Sequence, residues 1–216
     1  MFRNLKLFKM LGVDVFLNTS WFLVFLIAFT WSNITIESFI TELLTVVFAF
    51  VSILLHEFGH VLMARRFSVR TDKIVLNILG GAAFINQQDN EKLTPKQNIL
   101  VYLAGPFVNL CLFIILFIVS ILLKDFDIMS RIIYVVSLLN VIFFIFNMLP
   151  IFPMDGGGIL RNILLYFNVK NAIRISAYIS VVLSIALFIV MVLLGSITGC
   201  IISILLLLTA IPETKK

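Results

Sequence analysis

The sequence predicts an all-α polytopic membrane protein: six transmembrane helices with a small membrane-associated β-hairpin or sheet. Three observations predict it. The chain is 62% hydrophobic and only 12% charged over 216 residues, whereas a soluble domain is nearer half apolar and a quarter charged. The apolar residues collect in blocks of about twenty, the helical length that crosses a hydrocarbon layer about 30 Å thick. The polar segments between the blocks are too short to form a separate soluble domain. All of 1–216 is therefore read as one domain, with spans at 15–33, 43–64, 98–123, 132–149, 173–194 and 198–211.

The first span is the most dilute, since Asn18, Thr19 and Ser20 fall at its start. Arg3, Lys6 and Lys9 precede it without a small-residue cleavage signature, so a removed signal peptide is not expected. Residues 2–16 mix apolar and basic side chains around Gly12 and read either as an interfacial helix or as a short pair of strands. The region 68–96 is informative. Two short apolar runs, Lys73 to Leu79 and Ala82 to Ile85, flank Gly80-Gly81 and are too short to span a bilayer, so they read as a hairpin. A hairpin dipping into a membrane must be covered by protein or offer its edge to another strand.

Basic residues set the orientation. With both termini in the cytoplasm, Arg3, Lys6, Lys9, Arg65, Arg66, Arg70, Lys73, Lys92, Lys96, Arg161, Lys170, Arg174, Lys215 and Lys216 all fall inside. Only Lys124 and Arg131 face outward, which the positive-inside rule favours. The net charge of +5 then reflects membrane orientation, and no nucleic-acid partner is expected. Cys111 and Cys200 lie in apolar spans with no CxxC spacing and read as small buried hydrophobes.

The chemistry concentrates at His56-Glu57-Phe58-Gly59-His60, inside the second apolar block. The chain has only two histidines, and both are here. A charged group at a helix centre in hydrocarbon costs about 2.5–3.5 kcal/mol on insertion scales, a cost that ligand binding offsets. Histidines at i and i+4 share a helix face, and the glutamate beside them completes the layout of a zinc site with an adjacent general base. A catalytic zinc takes a third protein ligand and keeps one position for water. Either cysteine is a chemical possibility. Among the carboxylates Asp155 stands apart, because no charged residue precedes it back to Arg131 and it follows Pro150 and Pro153. Prolines break regular helix, and broken backbone at membrane depth is tolerated where it lines a buried site. Gly156-Gly157-Gly158 then gives the chain freedom to turn. In the six-span topology the second and fourth spans both run inward, so His56, His60 and Asp155 arrive at the same depth. The alternative role for Asp155 is to cap a helix over 158–167.

The set His56-Glu57-x-x-His60, then Asn147-x-x-Pro150-x-x-Pro153-x-Asp155-Gly156, resembles the site-2 protease family of intramembrane zinc metalloproteases. Gly80-Gly81 and Ala104-Gly105-Pro106-x-x-Asn109 match in the same order, and the resemblance covers nearly the whole chain. The six-span form is similar to the stage IV sporulation protein FB branch, here without a CBS domain and with Gly158 where a basic residue is commoner. The resemblance implies one catalytic Zn²⁺ on His56, His60 and Asp155, with Glu57 as general base. It also implies an integral membrane protein, of a bacterial cell membrane, with the site toward the cytoplasm. The implied partner is a membrane-embedded protein substrate of the transcription-factor-precursor or anti-sigma-factor type, cut within the bilayer in regulated intramembrane proteolysis. Asn147 and Asn109 are candidates for orienting substrate or an oxyanion, with an interhelical hydrogen bond the ordinary role for Asn109 and Asn140. Gly80 and Gly81 are candidates for contact with an extended substrate strand. Two other classes fit parts of the pattern: a metal-ion permease, which requires polar groups at several depths, and a non-catalytic homologue that binds membrane proteins.

Overall fold

The computed structural model describes residues 3–21, 35–77, 80–85, 92–123 and 127–215. Two compact units divide the chain. The first, residues 1–92 and 107–144, opens with strands β1 (Asn4–Met10) and β2 (Val13–Asn18) and a 3-10 turn, Thr19–Trp21. Helix α1 (Ile36–Arg66) follows, then β3 (Thr71–Asn77) and β4 (Gly80–Ile85). Helices α2 (Pro95–Leu122) and α3 (Asp127–Asn147) pass through both units.

The strands form one sheet in the order β1-β2-β3-β4, with β1/β2 and β3/β4 antiparallel and β2/β3 parallel. Period-two alternation decides what it buries. Val13, Val15 and Leu17 point inward from β2 and join Ile74 and Leu76 of β3 against Phe58 and Val61 of α1. The sheet thus sits on the C-terminal half of α1. Arg65 fastens the other end by donating from Nη2 to the Leu11 carbonyl in the β1–β2 turn. Residues 2–16 accordingly take the strand-pair reading where they are described.

The start of the expected first span is corrected here. Val15 to Asn18 belong to β2 and residues 19–21 to the turn, while 22–33 lie outside the described residues. The apolar side chains at 15 and 17 are used by the sheet core. Among the described residues five helical segments are long and apolar enough to cross a membrane: Ile36–Arg66, Pro95–Leu122, Ile128–Asn147, Ala172–Leu193 and Ile197–Lys215. Helix α1 begins before residue 43 because Thr35 and Ser38 form a reciprocal capping box, each side chain meeting the other's backbone N–H. Arg65 and Arg66 occupy its last turn, where cations complement the helix dipole. Gly80 and Gly81 lie within β4, paired with Asn77 and Leu76.

The second unit, residues 93–106 and 145–216, holds α4 (Asp155–Tyr166), α5 (Ala172–Leu193), α6 (Ile197–Ala210) and a 3-10 turn, Ile211–Lys215. The segment before α4 contains a cis Phe152-Pro153 bond. The Phe152 N–H donates to Ser180 Oγ of α5 at 3.0 Å, and Ser180 in turn donates to the Ser176 carbonyl at 2.8 Å. Small buried serines on α5 thus bind an irregular backbone that lacks helical partners. Helix α4 starts at Asp155 rather than at 158, so Gly156, Gly157 and Gly158 are helical and none has a positive φ. Their reason is space. A Cβ on Gly156 would lie 2.3 Å from the Leu149 carbonyl oxygen, one on Gly157 2.6 Å from the Phe152 nitrogen, and one on Gly158 2.6 Å from the Tyr102 ring. Gly158 therefore goes with Tyr102: the ring fills the place a longer side chain at 158 would need.

Midway along α4, Arg161 Nη2 donates to Glu213 Oε2 at 2.8 Å, with the guanidinium over the Phe152 ring. The pair is largely buried, so removing one partner strands the other charge. Glu213→Gln is expected to destabilise the protein by roughly 1–3 kcal/mol, between the exposed and buried limits for ion pairs. A thermal unfolding series in detergent measures it, and an unchanged midpoint refutes it.

Candidate metal centre

Helix α1 carries His56, Glu57 and His60, which are 6%, 7% and 8% exposed. The whole stretch from His56 to Val61 is buried, so the three polar groups face protein. Their spacing brings the imidazoles together: His56 Nε2 and His60 Nε2 are 3.0 Å apart, with the rings edge to face. Two nitrogens on one tetrahedral zinc, each at 2.0–2.1 Å, stand about 3.3 Å apart. The pair is close to that separation without adjustment.

Asp155 is the first residue of α4 and is half-buried. Its preceding residue, Met154, is the N-cap, and no side chain caps the helix. One ligand atom from each of His56, His60 and Asp155 lies within 4.8 Å of the other two. Two imidazoles and one carboxylate are a donor set suited to zinc. Neither cysteine belongs to this group.

Glu57, in the same turn of α1, reaches the sheet. It lies against Gly81 of β4, where a Cβ would be 2.5 Å from Glu57 Cγ and 2.6 Å from Oε1. The strand can pass over the carboxylate only with no side chain at that position. Gly80 differs: its φ is +128° and nothing lies within 4 Å of its Cβ position, so backbone conformation is its reason to be glycine.

A chain of buried hydrogen bonds runs away from His56. Its Nδ1 meets Asn109 Oδ1 at 2.5 Å. Asn109 Nδ2 donates to Asn140 Oδ1 at 2.9 Å, and Asn140 Nδ2 donates at 2.9 Å to both Ser52 Oγ and the Val136 carbonyl. Ser52 closes the circuit on α1 by donating to the Phe48 carbonyl. Ser52 escaped the sequence reading, although it lies four residues before His56 on the same helix face. Asn147 ends α3 and is half-buried.

Comparison with known proteins adds an independent finding. A model of peptidase family M50 matches residues 44–134 and 124–193. A zinc metalloprotease of Methanocaldococcus jannaschii is 36% identical over 164 residues, which are 74% of this chain and 45% of that protein. This chain thus spans less than half the length of that relative. Stage IV sporulation protein FB of Bacillus subtilis is a more distant match, 31% identical over 50% of this chain and 36% of its own length. The solved structure of a site-2 protease from Methanocaldococcus jannaschii superposes with a TM-score of 0.72 at 29% identity, covering 98% of this chain and 95% of that one.

Proposed function

The chain belongs to peptidase family M50, the family of site-2 zinc metalloproteases, and from that premise we propose that it hydrolyses a peptide bond in or near the transmembrane segment of a membrane-bound protein. The observation that carries the reading is the His56–His60–Asp155 cluster with Glu57 in the same buried turn of α1. His56, His60 and Asp155 would hold one Zn²⁺. The ion, when bound, acidifies water to a pKa of about 7 and polarises a carbonyl.

The rest falls to the chain's own groups. Glu57 is the general base that takes the proton from the attacking water and returns it to the leaving amine, work that contributes about 10²–10⁴-fold in comparable sites. Its burial keeps the carboxylate away from bulk solvent, and Gly81 holds it to one side of the helix. Gly80 and Gly81 at the start of β4, and Asn147 at the end of α3, are proposed to position substrate. We assign the substrate to the class of membrane-tethered regulators, either transcription-factor precursors or anti-sigma factors. This proteolysis is regulated, with the site toward the cytoplasm and both termini on that side. Kinship with the sporulation protein FB branch is part of the same proposal.

Purified protein reconstituted with a single-span substrate tests the reading. Glu57→Gln should keep zinc and lose cleavage by at least about 10²-fold. Cleavage by that variant at the wild-type rate, or zinc transport by the wild type without cleavage, overturns it.

A further inference from the structure

We infer that Asn140 is a positioning residue that, acting through Asn109, fixes which ring nitrogen of His56 carries the proton. The inference rests on the metal-site reading above. Its anchor is a group whose role cannot reverse: the Val136 carbonyl only accepts hydrogen bonds. The Asn140 atom 2.9 Å from that carbonyl must therefore be the amide nitrogen. The same nitrogen spends its other hydrogen on Ser52 Oγ, whose own hydrogen goes to the Phe48 carbonyl.

With its nitrogen committed twice, Asn140 turns its oxygen to Asn109, and the Asn109 atom facing that oxygen must be a donor. That leaves Asn109 Oδ1, an acceptor, against His56 Nδ1. His56 is thereby held with its proton on Nδ1 and a lone pair on Nε2, the atom that faces His60. The sense of the whole chain follows from one backbone carbonyl. All four side chains are nearly inaccessible, with Asn109 at 1% and Asn140 at 0% exposure, so water does not offer a substitute partner. Histidine ligands owe their tautomer to the partner of the second nitrogen. Here the partner's own orientation is set one residue further out, on a different helix.

The test uses the full chain in lipid nanodiscs, stripped of metal and labelled with ¹⁵N in the imidazole rings; two histidines give an assignable spectrum. Wild-type His56 should show the Nδ1–H tautomer. Asn140→Leu, close in size but unable to hold the Asn109 amide, should populate both tautomers and lower zinc affinity by roughly 10–100-fold, as loss of such partners does. Asn109→Asp keeps an acceptor against Nδ1 and should retain the tautomer. Ser52→Ala removes one of two acceptors from Asn140 and should weaken zinc binding less than Asn140→Leu. A wild-type Nε2–H tautomer overturns the inference by itself, whatever any variant does. So does an Asn140→Leu protein with the wild-type tautomer and zinc affinity within about twofold. Failure of the wild type to bind zinc would instead sink the metalloprotease reading, and the metal-free tautomer would still decide this one.

Discussion

Gly81→Ala is expected to reduce cleavage by about 10²-fold or more while leaving bound zinc near the wild-type level. The added Cβ would stand 2.5, 2.6 and 2.8 Å from Glu57 Cγ, Oε1 and Cδ, closer than carbon atoms approach without repulsion. Glu57 is 7% exposed, so it has little open space to move into. Displacement of a catalytic group by about 1 Å costs on the order of 10²-fold. His56 and His60 project from other positions of the helix and keep their 3.0 Å separation. Gly80→Ala provides the contrast. Its Cβ meets nothing, but φ +128° strains any L-residue, so it should lower stability without a selective loss of rate. Rate per bound zinc separates the two. Equal rate losses per zinc in both variants would show that Gly81 serves only the strand.

Gly156→Ala should be the most damaging alanine on the other element of the site. Its Cβ would lie 2.3 Å from the Leu149 carbonyl oxygen and 2.4 Å from that of Met148. Both obstacles are main chain, so either the start of α4 or the segment before it must shift. Overpacking of this kind costs about 1–3 kcal/mol. Asp155 is the adjacent residue, and zinc affinity should fall by roughly 10–100-fold, the range for disturbed ligand support. Gly158→Ala is a built-in comparison: it meets the Tyr102 ring, a side chain that can be trimmed. Tyr102→Leu should rescue Gly158→Ala and fail to rescue Gly156→Ala. Zinc titration and thermal unfolding of the four proteins decide it, and rescue of both glycine variants would refute the argument.

The helices were legible because lipid solvent leaves a plain signature: long apolar blocks whose limits differ from the structure by a few residues at most ends. The exception at the start of α1 has a local cause. Glu37, Thr41 and Glu42 made the first turns look polar, although Thr35 and Ser38 supply a capping box. The sheet was half legible. Gly80-Gly81 marked its second hairpin, but Val15 and Leu17 served equally well as the start of a membrane span, and only pairing with Ile74 and Leu76 distinguishes the two uses. Asp155 was singled out by elimination among few carboxylates. The reason for the following glycines was not legible, since their obstacles are a backbone segment and Tyr102, the latter more than fifty residues away in the chain. Ser52 was hidden for a similar reason. A serine in a membrane helix commonly bonds its own i−4 carbonyl, and Ser52 does so as well as receiving Asn140.

Phe58 and Val61 are packed among the strands, so Phe58, a wildcard in the motif, is not a spacer. One face of this helical turn presents His56 and His60 while the adjoining face holds down the β-layer that lies over Glu57. The two faces need not fail together. On the proposed function, warming or harsh detergent that peels the β-layer away would leave zinc bound and cleavage lost, so metal stoichiometry alone would be a poor proxy for the working fraction of a preparation.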